Sequence, residues 1–131
     1  MGRCDPGLKQ TRELKVGEEH SAASLGSGDV PVLGTPAVLA LAEQACVEAI
    51  ADDLPDGETS VGTWAEIEHL KATCLGATVQ ANATLLGHHG RRLEFNVTIE
   101  EDGEQVARVR HRRVLVDRGR FLEKLGVTAG A

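Results

Sequence analysis

One helical segment followed by about sixty residues of alternating pattern restricts this chain to few folds. Residues 36–53, PAVLALAEQACVEAIADD, are rich in Ala, Leu and Glu and contain no Gly. They stop before Leu54-Pro55-Asp56-Gly57, a turn signal. Thr35 precedes Pro36, so the spacing predicts Thr35 as N-cap and Pro36 at the first helical position, where a missing N–H costs nothing. Beyond the turn the period falls to two, and strands are predicted over 58–72, 77–87, 91–101 and 104–116. Leu93, Phe95, Val97 and Ile99 alternate with Glu94, Asn96, Thr98 and Glu100, giving one dry face and one wet one, as an antiparallel sheet requires. His88-His89-Gly90 and Asp102-Gly103 supply tight hairpin connections. A weak extended segment is expected over 15–25 and a short terminal helix over 118–125. The first 15 residues mix Gly, Pro and charge without period, so a flexible arm is expected there, with a single domain over 16–131. A lone long helix must bury its apolar face on the sheet. The expected class is α+β, a sheet wrapped around a central helix.

Two Phe, one Trp and no Tyr leave the core to Ala, Val, Leu and Ile, with room for a narrow tunnel or a subunit partner. The formal charge of −6 argues against nucleic acid or an anionic membrane as partner, since both need a clustered positive face. No stretch approaches the ~20 apolar residues of a membrane span, and the N-terminus lacks the apolar centre of a signal peptide, so the cytoplasm is the expected location. Cys4, Cys46 and Cys74 form no CxxC pair and are odd in number, which fits reduced thiols rather than a zinc knuckle or a disulfide framework.

Three side chains stand out against this frame. On the helical wheel Gln44, Glu48 and Asp52 form the solvent stripe, but Glu43 has Leu39, Cys46, Val47 and Ile50 as its helical neighbours. A carboxylate at the edge of a buried face is either functional or snorkels to water. Thr35 opens the helix, where unpaired N–H groups and the helix dipole can hold an oxyanion; by itself it is also an ordinary cap. Ala65, Ile67 and His69 share the inward face of their strand, so the imidazole faces the core or a subunit boundary, as a structural or a proton-carrying residue. Arg108, Arg110 and Arg112 share a strand face and read as a solvent ladder pairing with Glu94 and Glu100.

From Gly34-Thr35 to Cys46, and again from Ser60-Val61-Gly62-Thr63 to His69, the sequence resembles the fluoroacetyl-CoA thioesterase type of the hot-dog superfamily. That family carries a Thr, a Glu eight residues later on the central helix, and a His a further twenty-six residues on. Thr35, Glu43 and His69 meet this spacing, Gly62 matches the Gly opening the strand that bears the His, and the similarity extends through Gly90-Arg91-Arg92-Leu93. The resemblance implies a hot-dog fold and a homodimer with its site near the interface; a dimer of dimers is compatible with it.

The activity so implied is hydrolysis of an acyl-CoA-type thioester with Thr35, Glu43 and His69 as catalytic residues. Gly34 and Gly62 lie beside the substrate, and neither metal nor cofactor is called for. Glu43 is favoured as nucleophile or general base and His69 as carrier of the leaving thiol's proton; attack by the Thr35 hydroxyl and attack by a water held by Thr35 and Glu43 are both open. One departure matters: the fluoroacetyl-specific members have a longer segment with an aromatic lid before the helix, whereas residues 25–33 here are short and lack an aromatic. Fluoroacetyl specificity is therefore not implied. A non-catalytic acyl-CoA-binding module and an enoyl-thioester hydratase are the rival readings.

Overall fold

Alternation over the second half of the chain becomes a five-stranded antiparallel sheet, and the long apolar helix lies across its inner face. The computed structural model describes residues 3–127; Met1, Gly2 and residues 128–131 lie outside the described residues. The elements are β1 (Lys9–Lys15), α1 (Ala22–Leu25), α2 (Thr35–Ile50), β2 (Glu58–His69), β3 (Thr78–His89), β4 (Arg92–Glu101), β5 (Glu104–Asp117) and α3 (Arg118–Lys124). The strands run in the order β1-β3-β4-β5-β2. Val79, Ala81, Ala83 and Leu85 of β3 and Leu93, Phe95, Val97 and Ile99 of β4 are buried in one cluster with Val38, Leu41, Ala42 and Ala45 of α2. Alanines on both sides let the helix approach the sheet closely. Asp102 and Gly103 both have positive φ, 51° and 81°, as a two-residue hairpin between twisted strands needs.

Three expectations are corrected. The first 15 residues are not a flexible arm outside the core: residues 9–15 form β1, and Cys4 is buried in the core cluster. Its N–H donates to Asp53 Oδ2 at 2.7 Å, and its carbonyl lies 3.1 Å from His88 Nδ1. The strand is hidden in sequence because two of its three inward positions, Gln10 and Arg12, are polar; both bond Glu48 of α2, which therefore faces β1 rather than open solvent, and only Leu14 packs on the core. The extended segment expected over 15–25 is instead a 3₁₀ turn at Glu18–His20 followed by α1.

The helix start also shifts. Gly34 is the N-cap and Thr35 the first helical residue, and α2 gives way after Ile50 to a 3₁₀ turn at Ala51–Asp53. Gly34 is required by packing, because a Cβ there would stand 3.0 Å from the Cα of Ala22. Its extended backbone leads directly into the helix, and the Thr35 hydroxyl is released from any capping duty.

On the outer face Arg110 and Arg112 bond Glu94 at 2.8 and 3.3 Å, while Arg108 pairs with Glu68 at 2.7 Å rather than with Glu100. Exposed pairs of this kind contribute little to stability. Among the described residues no helix is long and apolar enough to cross a membrane.

Candidate active site

The register of β2 on β5 slips between Gly62 and Trp64, so Thr63 is an extra residue on the β2 side. Gly62 pairs with Arg113, and after the slip Ala65, Ile67 and His69 pair with His111, Val109 and Ala107. The bulge thus keeps Gly62 and His69 on the same inner face.

His69 stands at the end of β2 with Nδ1 2.9 Å from Thr35 Oγ1 at the start of α2. Its Nε2 is buried and has no hydrogen-bond partner among the described residues. Burial holds its pKa below the ordinary 6.5, so the imidazole is neutral at pH 7. At the helix start, Gly34 N–H donates to His20 O at 2.8 Å, Ala37 N–H to Gly34 O at 3.0 Å, and Pro36 has no N–H. That leaves the Thr35 N–H as the donor at this end without an acceptor among the described residues. Gly34, Thr35 and His69 line one cavity of about 350 Å³, with Ala22, Val32 and Leu33 forming part of its apolar wall.

Glu43 lies elsewhere. At ~1.5 Å of rise per residue, its position eight residues along α2 sets it about 12 Å from Thr35 within one chain. It lines a different cavity, of about 450 Å³, with Gln44, Val47 and Arg113. Its carboxylate accepts from Arg113 Nη1 at 3.2 Å and lies 3.5 Å from His111 Nε2. The structure therefore joins Thr35 to His69 and Gly62 to Glu43, but does not join the two pairs within one chain.

His111, Arg113 and Ser60 are the residues that sequence reasoning missed. Arg113 is buried; its Nε and Nη2 donate to Ser60 Oγ and Ser60 O at 2.8 and 3.1 Å, which aims Nη1 at the carboxylate. Parity was the available signal: His111 and Arg113 alternate in step with Val109 and Leu115, the inward residues of β5, and out of step with the exposed arginines. Burial pushes the nearby Cys46 thiol up to about 12, so it stays protonated and inert.

Gly62 faces this cluster with little room. A Cβ there would stand 2.7 Å from Glu43 Oε2, 3.1 Å from His111 Cε1 and 3.3 Å from Arg113 Nη1. The Glu43 side chain can swing away, so Gly62→Ala is expected to change Tm by no more than about 3 °C. The displaced carboxylate is expected to lower kcat at least tenfold, on the scale of ~10²-fold for a misplacement of about 1 Å. Thermal melts alongside steady-state kinetics check the split, and a kcat equal to wild type would show that Glu43 needs no fixed position.

The fluoroacetyl-CoA-specific thioesterase family matches residues 16–119 of this chain. The fluoroacetyl-CoA thioesterase of Streptantibioticus cattleyicolor is 34% identical over 94 residues, covering 72% of this chain and 68% of that protein. A threonine-to-serine variant of the fluoroacetyl-CoA thioesterase FlK, solved with acetyl-CoA, superposes with a TM-score of 0.88 at 27% identity over 93% of this chain and 96% of that one. A Thermus thermophilus protein of the thioesterase superfamily shares the fold, with a TM-score of 0.88 at 23% identity over 96% of this chain and 93% of that one. The helix-wrapping sheet is thus the hot-dog fold, and the chain belongs to the fluoroacetyl-CoA-specific thioesterase family of thioester hydrolases.

Proposed function

We propose that the chain is an acyl-CoA thioesterase whose site is assembled from two subunits, with Thr35 and His69 from one and Glu43 from the other. The observation that carries this reading is the 2.9 Å contact between Thr35 Oγ1 and His69 Nδ1, set in a cavity whose remaining buried imidazole nitrogen has no partner among the described residues. With the hydroxyl donating to Nδ1, the proton of the neutral ring sits on Nε2 and needs an acceptor. The carboxylate of Glu43 is too far along α2 in the same chain. β2 stands at the end of the sheet order, so its outer edge is open to another strand among the described residues. An antiparallel pairing of two such edges centred near Ala65, with Thr63 left out as the bulge residue, sets His69 opposite Ser60 of the partner subunit on the inner face. On that face the position is next to Gly62 of the partner subunit and so beside Glu43 of the partner subunit.

In this arrangement the Thr35 oxygen attacks the thioester carbonyl while His69 takes its proton. The developing oxyanion is held by the Thr35 N–H and the helix dipole, a contribution of roughly 3 kcal/mol. The C–S bond breaks, and the protonated imidazole gives its proton to the departing thiolate. Water then attacks the acyl-threonine, with His69 again as base, and releases the acid and the free hydroxyl. The partner's Glu43 orients the ring and stabilises the imidazolium formed in each half-reaction. Gly34 lines the substrate cavity beside Thr35, and Gly62 leaves the room that the Glu43 carboxylate occupies. The acetyl-CoA bound by the FlK variant supports CoA thioesters as the substrate class. Reduced Cys4, Cys46 and Cys74 fit a cytoplasmic location.

The test is release of free thiol from short, branched and aromatic acyl-CoAs. At least one is expected to be hydrolysed. Protonation disarms His69 as the base, so kcat/KM is expected to fall as pH drops through the imidazole's pKa, which burial lowers in the single chain and the partner's Glu43 carboxylate raises in the assembled site. A kcat/KM that stays level down to about pH 4, well below any imidazole's range, would remove His69 as the base. Binding of CoA thioesters without thiol release would indicate a binding module, and loss of the double bond of crotonyl-CoA without free thiol would indicate a hydratase.

A further inference from the structure

Sequence places a histidine two residues before Arg113 on the inward parity of β5, a position otherwise filled by Ala107, Val109 and Leu115. A polar ring buried to 2% exposure must account for both of its nitrogens. Nδ1 lies 2.8 Å from the carbonyl oxygen of Trp64, and a carbonyl only accepts, so Nδ1 carries the proton. Nε2 is then bare and accepts from Arg113 Nη1 at 3.0 Å. Burial also holds this ring in its neutral form.

We propose that His111 is a positioning residue for Glu43, acting through Arg113. The ring fills the space between the bulge of β2 and the guanidinium. One nitrogen is anchored on Trp64, the first residue after the slip. The other fixes Nη1, whose remaining hydrogen points to Glu43 Oε2 at 3.2 Å. Ser60 holds the opposite side of the fork, so the guanidinium is gripped at both ends and the carboxylate meets a donor of fixed direction. A mobile guanidinium would leave Glu43 free to swing into the cavity it shares with Gln44 and Val47. The proposal rests on the reading of Glu43 as an active-site carboxylate.

The two bonds of the ring can be separated by amide substitution. The asparagine amide reaches only to the position of Nδ1 and retains the bond to Trp64, whereas the glutamine amide reaches the position of Nε2 and retains the acceptor for Arg113. His111→Asn is expected to lower kcat about twentyfold or more, with Tm within about 3 °C of wild type and KM little changed. His111→Gln is expected to keep kcat within about fivefold while Tm falls by a few degrees. A residue that merely fills the core cannot give this crossed pattern. Wild-type kcat in the Asn protein, or losses of kcat that follow Tm in both proteins, would overturn the proposal. If the Asn protein does not fold, the Gln protein decides alone, since a loss beyond about fiftyfold at unchanged Tm contradicts it. In a Glu43→Gln background His111→Asn is expected to change residual kcat by less than about twofold. Full activity of Glu43→Gln by itself would overturn both the active-site reading and this one, whereas an inactive Glu43→Gln beside a fully active His111→Asn would remove only the positioning role.

Discussion

Glu43→Gln is expected to lower kcat on the best acyl-CoA substrate by about ten-thousandfold, the loss seen when the carboxylate of a nucleophile–base–acid constellation is neutralised. The amide is nearly isosteric and can still accept from Arg113 Nη1, so the geometry around Gly62 survives. What disappears is the negative charge facing the imidazolium that forms twice in each turnover. Arg113 loses its counter-charge, but it keeps Ser60 and His111 as partners, and the carboxylate end of the pair is 37% exposed to water. Screening there limits the cost to folding, and Tm is expected to drop by roughly 5 °C. Stopped-flow thiol detection with a parallel thermal melt measures both. Retention of more than a tenth of the wild-type kcat would exclude Glu43 from the chemistry.

Mixing two dead proteins is expected to restore activity. If each site takes Thr35 and His69 from one subunit and Glu43 from the other, Thr35→Ala and Glu43→Gln homodimers are both inactive. A heterodimer of the two carries one doubly defective site and one intact site. Random pairing of equal amounts makes about half of the dimers mixed, so about one quarter of the wild-type rate returns. Co-expression with two affinity tags isolates the heterodimer, which is then expected to show about half of the wild-type rate per dimer. If the mixture stays inactive although heterodimers have been isolated, all three groups belong to one chain. That outcome would require Glu43 to reach Thr35 over about 12 Å, and so a bent or unwound α2. Together the two experiments separate what Glu43 does from which subunit supplies it.

Much of the fold was legible because it follows from local patterns. The apolar face of residues 36–50 and the period-two runs of β3, β4 and β5 need only burial on one side, and burial leaves its mark in sequence. β1 left no mark, since two of its three inward residues, Gln10 and Arg12, meet a carboxylate on α2 and only Leu14 reaches the apolar core. The N-cap moved to Gly34 for a tertiary reason: the backbone of Ala22 lies against it, where no side chain fits. Thr35 and His69 were legible as single residues of suggestive type, but their contact closes a sequence separation of 34.

The cluster around Glu43 shows the same division. Sequence by itself determined that a carboxylate sits at the edge of the apolar face of α2, because helical spacing fixes its neighbours. It also determined one glycine and one histidine in the strand that follows. Their spacing of seven would place Gly62 and His69 on opposite faces of a regular strand, since side chains alternate with period two. Only the tertiary structure decided otherwise: pairing with β5, a strand some fifty residues on, absorbs Thr63 as a bulge and turns both residues to the inner face. Whether a strand carries one residue more than its neighbour depends on the neighbour, so this parity, and with it the site, was settled by long-range pairing and not by local sequence.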